Sequence, residues 1–231
     1  MINYEMMEDI MNYYHNNLKF NMNKELDSFF TKCGIEESTV HKFNLGLALD
    51  DDGLSEYLVS EGYSMEEILA TSLVEFEGTK LVDFVKNKMI IPILDESGRC
   101  VAFCDMNYID IKDNELSIIY CVTNDVPIFN YNNIKDYIDV LDYSIEKIYL
   151  TDIMGVLELD GRSIDCACSL IGRTITPLDI TMIKAVTNEV VVLLSSNIYN
   201  NNENVYNILR LLQAGIKVTI IPKRKFSDDI N

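Results

Sequence analysis

The sequence predicts a chain of mixed α+β and α/β class: a small helical and β N-terminal subdomain, residues 1–144, followed by a Rossmann-like domain with a mainly parallel sheet, residues 145–231. Three observations carry this. Helical spacing and a hairpin dominate the first half, whereas strands and helices alternate from residue 147 onward, the pattern of βα units. The composition, 48% hydrophobic and 24% charged, is that of a folded chain.

In the first half, Tyr4, Met7, Met11, Tyr14 and Leu18 recur at helical spacing. A second helix runs through Leu26, Phe29 and Phe30 and stops at Gly34, and a third covers about 36–42. Ser64 and Glu67 form a capping box that opens a further short helix. MIIPIL (89–94), a turn at 95–98 and RCVAFCD (99–105) make a hairpin, with Pro92 restricted to an edge or a bulge. LSIIYCV (116–122) is another strand, and an Asn-rich stretch leads into a helix over about 132–140.

The second half reads KIYLT (147–151) strand, IMGVLEL (153–159) helix and IDCACSL (164–170) strand. Thr176-Pro177 is an N-cap with proline at the first helical position, opening a helix to about Thr187. EVVVLLS (189–195) is a continuous apolar strand of the buried parallel kind. A helix over 202–213 ends at Gly215, and IKVTII (216–221) closes the series.

Charge narrows the function. With 37 acidic against 19 basic residues the net charge is −18, and only five arginines are present. Nucleic-acid affinity rests mainly on phosphate neutralisation, so a general electrostatic surface for DNA, RNA or an anionic membrane is not expected. No apolar run reaches the ~18 residues of a membrane span, and the N-terminus does not read as a secretory signal. The six cysteines (33, 100, 104, 121, 166, 168) are therefore expected as cytosolic thiols buried for structural reasons, and the location as cytoplasmic. The acidic run Asp50–Asp52 reads as a solvated loop before a glycine.

In an open α/β sheet, ligands bind beyond the carboxyl ends of the strands. Those ends carry Thr151-Asp152, Ser195-Ser196-Asn197 and Pro222-Lys223. Magnesium is a hard ion that wants several carboxylates, and Asp152 alone is acidic among these tips. No glycine-rich phosphate loop is present either.

The order of the pieces resembles the catalytic core of the bacterial DnaG-type DNA primases. LDSFFTKCGIEESTVHKFNLGLA (26–48), LSEYLVSEGYSMEEILATSLV (54–74) and DFVKNKMIIPILDESGRCVAF (83–103) are similar to successive family stretches, as is the segment from Tyr120 to Asn130. IYLTDIMGVLEL (148–159), LIGRTIT (170–176), VVVLLSSN (190–197) and VTIIPKRKFSDD (218–229) resemble the four landmarks of the family's Toprim domain. The resemblance implies a primase core, residues 1–144, and a Toprim-like domain, 145–231.

It also implies where chemistry has gone. The family's Toprim metal ligands, a glutamate after the first strand and a D-x-D after the third, fall on Thr151, Ser195 and Asn197. The aspartate of its last element falls on Phe226, with Asp228 and Asp229 just beyond. Groove cations fall on Val85 (within Phe84-Val85-Lys86), Met106, Ile119 and Tyr131. Two-metal phosphoryl transfer fails without carboxylates. The expectation is thus a degenerate Toprim domain with no cofactor, a protein that acts through a protein partner in DNA replication or a mobile element. That partner is a replication protein or another primase or helicase component. Direct nucleic-acid binding is expected to be weak or absent, and Val85, Met106, Ile119 and Tyr131 are the expected partner patch. Two alternatives stand beside it. One is a divergent active primase or nucleotidyl transferase that holds magnesium through Asp152, Asp228, Asp229 or a partner chain. The other is an acidic DNA mimic.

Overall fold

The computed structural model describes residues 3–109, 116–121, 126–141, 144–195 and 202–223, and the chain divides into two compact units, Met1–Val126 and Pro127–Asn231.

The first unit opens with α1 (Tyr4–Phe20), α2 (Lys24–Cys33) and α3 (Glu37–Lys42). Asn3 and Asn23 cap α1 and α2 by accepting from the backbone N–H three residues on, and Gly34 ends α2 in the left-handed region at φ +66°. Next come β1 (Gly46–Ala48), α4 (Gly53–Ser60) and α5 (Met65–Ala70), the last opened by the Ser64–Glu67 capping box. A two-stranded ribbon, β2 (Val74–Glu77) and β3 (Lys80–Asp83), precedes β4 (Lys88–Leu94), β5 (Cys100–Met106) and β6 (Leu116–Cys121). The main sheet is antiparallel in the order β1-β4-β5-β6. β1 pairs with residues 88–90 of β4, so Pro92 lies beyond that pairing and next to the register shift at Ile93/Leu94.

α1 lies over this sheet with Met7, Ile10 and Tyr14 buried, and Tyr14 meets Phe103 edge to face at 6.2 Å. The helix and β1 approach closely. A Cβ on Gly46 would sit 2.6 Å from Tyr14 Cβ and 2.8 Å from the Tyr14 carbonyl carbon. Backbone cannot move aside cheaply, so Gly46→Ala is expected to destabilise the unit by about 1–3 kcal/mol in urea unfolding. A midpoint equal to the wild type would contradict the close contact.

The acidic run at 50–52 is not simply solvated. Asp52 binds Lys80 Nζ and, at 2.6 Å, Lys86 Nζ. Those two ammonium groups hold its carboxyl well below the usual range. Asp83, buried, accepts from the N–H groups of Leu54 at 2.9 Å and Ser55 at 2.7 Å, capping α4 from across the ribbon. The loop is an anchoring point for β3 rather than a free acidic surface.

The second unit contains α6 (Tyr131–Leu141), β7 (Ile148–Leu150), α7 (Ile153–Asp160), β8 (Ala167–Cys168), α8 (Pro177–Val186), β9 (Glu189–Ser195), α9 (Asn202–Gln213) and β10 (Lys217–Lys223). Its sheet is parallel, ordered β10-β9-β7-β8. β8 is shorter than the expected 164–170 strand, because β7 offers only Tyr149 and Leu150 to pair with it. Ile134, Ile148, Leu150, Ile183, Val190 and Val192 form the core with Tyr131, so α6 contributes to the core of this second unit. Cys100, Cys104 and Cys168 are buried thiols, and burial pushes Cys100 and Cys168 up to about 12. Among the described residues no helix is long and apolar enough to cross a membrane.

Candidate functional site at the carboxyl ends of the parallel strands

The chain runs from β7 outward to β8 on one side and from β9 outward to β10 on the other, so the order reverses between β7 and β9. An open α/β sheet splays at such a point and leaves a crevice beyond its carboxyl ends. A pocket of about 130 Å³ lies there, with Thr151, Asp152, Ser169, Arg173, Glu203 and Asn207 among its lining residues.

Each is placed by a local rule. Thr151 is the residue after β7; its N–H bonds Cys168 O at 3.0 Å, while its side-chain oxygen is buried and makes no hydrogen bond among the described residues. Asp152 is the N-cap of α7, accepting from Gly155 N at 2.6 Å. Its carboxylate thus already serves the orphan donors of a helix start. Beyond β8 the chain turns through Ile171 at φ +55° and Gly172 at φ +72°. Positive φ at a β-branched residue is strained, and Ser169 Oγ secures it by accepting from Ile171 N at 3.1 Å.

That turn delivers Arg173, whose guanidinium grips Asp179 with two bonds of 2.6 and 2.8 Å. Asp179 is also the third residue of a capping box with Thr176 at the start of α8. Burial works against its charge, but Arg173 and Thr176 together outweigh that and hold the carboxyl below its ordinary range. Asn207 of α9 accepts from Ile175 N at 2.7 Å and donates to Arg173 O at 3.2 Å, fixing the same loop from the other side. Sequence reading found the Thr176 cap but not this network. Asp179 three residues after Thr176 was its available local signal, whereas Asn207 lies 32 residues from its nearest partner and has none.

The crevice therefore brings together Thr151 and Asp152 from the expected set. Ser195 ends β9 beside Lys223 of β10, and Asn197, Asp228 and Asp229 lie outside the described residues. Among the described residues no group of three His, Cys, Asp or Glu side chains is placed to hold a metal ion. Among the described residues the pocket lining carries two carboxylates, Asp152, which is engaged as a cap, and Glu203, beside the neutral hydroxyl of Thr151 and a cation, Arg173, a poor match to the several carboxylates that magnesium takes.

The expected partner patch is corrected by burial. Val85, Met106 and Tyr131 are 3%, 0% and 5% exposed. Val85 packs in the core under α1, Met106 ends a strand buried on both faces, and Tyr131 donates through its hydroxyl to Met182 O at 3.0 Å. They are apolar because they are interior. Ile119 pairs with Cys104 through the backbone, and its side chain lies outside the described set.

With this geometry in place, comparison defines the class. Residues 13–134 match the model of the DNA primase catalytic core, N-terminal domain, and the chain belongs to the DnaG-type primase core family. It is 24% identical over 236 residues to a DNA primase of Clostridium acetobutylicum, which spans 98% of this chain and 38% of that protein. A DNA primase of Haemophilus influenzae is 23% identical over 190 residues, covering 81% of this chain and 32% of the relative. The chain thus spans only about a third of the length of these relatives. Among solved structures, the zinc-binding and RNA polymerase domains of the Aquifex aeolicus primase superpose with a TM-score of 0.77 at 20% identity, over 96% of this chain and 55% of that one. A DnaG primase catalytic domain bound to single-stranded DNA gives 0.76 at 14% identity, over 96% and 73%. The shared fold is that of the primase catalytic core.

Proposed function

We propose that this chain is a primase-core homologue that has given up metal-dependent phosphoryl transfer and acts through protein contacts in DNA replication or a mobile element. One observation carries the reading: the residue after β7, Thr151, and the last residue of β9, Ser195, carry no carboxylate where two-metal chemistry needs them, and the Asp152 carboxylate beside Thr151 is engaged as the cap of α7. The charge distribution supports a weak hold on a nucleic-acid template. Residues 1–126 contain 24 of the 37 acidic side chains and 9 of the 19 basic ones, and a polyanion gains affinity from the opposite excess.

The test is primer synthesis on a single-stranded template with magnesium or manganese, beside an active primase as a positive control. No product above background is expected. Robust synthesis abolished by Asp152→Asn would overturn the reading and establish the active alternative, with Asp152 as a ligand.

A further inference from the structure

The crevice pocket is lined by two residues with polar groups that the surrounding network leaves unmatched. Thr151 is 8% exposed, and its Oγ1 makes no hydrogen bond among the described residues. Arg173 Nε is likewise buried without a partner there, although both terminal nitrogens of the same guanidinium hold Asp179. Both residues line the pocket. A buried polar group left unpaired is costly, and folded chains keep few of them. Neither group is loosely held. Arg173 follows the turn through Ile171 and Gly172, and Asn207 of α9 bonds both Ile175 N and Arg173 O, so the guanidinium is fixed in advance of any ligand.

The rest of the lining decides what matches them. A guanidinium N–H can only donate and the Thr151 hydroxyl can donate, so together they call for an acceptor such as a carboxylate. Asp152 and Glu203 border the same pocket and call for positive charge. Leu150, Leu170 and Leu194, all buried, add apolar wall. A bare anion would meet two carboxylates, and a bare cation would leave the two donors unmatched. A nucleoside triphosphate fits poorly, because its phosphates would face Asp152 and Glu203 with no metal between them. The volume of about 130 Å³ is also well below the ~300–1,000 Å³ of pockets that enclose larger organic ligands. A small dipolar molecule answers every group at once.

We propose that this pocket binds a free α-amino acid with a small aliphatic side chain. Its carboxylate lies toward Thr151 Oγ1 and Arg173 Nε, its ammonium group toward Asp152 and Glu203, and its side chain against the leucines. The inference rests on the metal-free reading of the crevice and names a ligand for that same site.

Calorimetric titration of the full chain with L-alanine and L-valine tests it, with acetate and propylamine as controls that carry one end of the zwitterion each. The expected result is saturable heat at millimolar amino acid and none for either control at the same concentration. Thr151→Val keeps the shape and removes the hydroxyl, and should weaken binding about tenfold, the loss of one hydrogen bond to a charged group. A merely structural hydroxyl would leave the affinity unchanged. Glu203→Gln, at an exposed position, should weaken it as well, from the ammonium end. Circular dichroism of each variant guards against unfolding. No saturable heat with either amino acid, equal binding of acetate or propylamine, or an affinity indifferent to Thr151→Val would each overturn the proposal and leave the metal-free reading standing. Magnesium-dependent binding of a nucleoside triphosphate that displaces the amino acid would overturn both.

Discussion

Asp179→Ala is expected to cost about 3 kcal/mol of stability, read from urea unfolding followed by circular dichroism. The carboxylate is 4% exposed and carries two Arg173 bonds and the Thr176 cap. Removing it strands a guanidinium whose Nε is already buried without a hydrogen-bond partner among the described residues. Breaking a buried pair from one side typically costs about 3–5 kcal/mol. The Arg173 side chain retains 24% of its exposure, so water relieves part of the loss and the low end applies. Thr176→Ala, which removes only the cap, should cost about 1 kcal/mol. The pH dependence follows from the depressed carboxyl. Its stabilisation is complete above the ordinary aspartate value of about 3.9 and is lost as pH falls through the lower native value. The variant should therefore show a flatter acid limb than the wild type. Asp83 acts in the opposite sense, because burial raises its carboxyl in spite of the two N–H groups it accepts; its contribution improves as pH falls through that raised value. A loss below 1 kcal/mol in Asp179→Ala would show that the Arg173 loop does not depend on this pair.

Phe103→Ala should cost about 3–5 kcal/mol, the range for emptying a fully enclosed aromatic site. The ring is completely buried on β5, the strand with β4 and β6 on either side, and its edge-to-face contact with Tyr14 ties α1 to the sheet. Phe103→Leu, which fills much of the same space, should recover most of the loss. The readout is the urea midpoint of the first unit's transition; a shift equal for both variants would place the energy in the aromatic contact rather than in cavity volume.

How much of this was legible depends on range. Local signals transferred well: the helical spacing of α1, the Ser64–Glu67 box, Pro177 opening α8 and the apolar run of β9 all describe residues that contact near neighbours. β1 and the β2–β3 ribbon were not legible, because strands of three or four residues with mixed exposure lack a clear period of two. Asp52 looked like a solvated run because its lysine partners lie 28 and 34 residues away. Val85, Met106 and Tyr131 were read as a surface because a resemblance placed them in a groove, whereas an apolar residue at such a position is equally what an interior demands. In the crevice, the position of Thr151 and Asp152 followed from strand order alone. The Arg173–Asp179–Asn207 network did not, since Asn207 reaches that loop only through the fold.

Among the described residues, the crevice at the ends of β7 and β9 has no magnesium cage. Calorimetric titration of magnesium, with and without a nucleoside triphosphate, tests it most directly when the wild type is run beside a variant carrying Thr151→Glu, Ser195→Asp and Asn197→Asp. The expected result is no saturable heat for the wild type at millimolar magnesium and a saturable isotherm for the variant. Stoichiometric binding by the wild type that disappears in Asp152→Asn would contradict the claim.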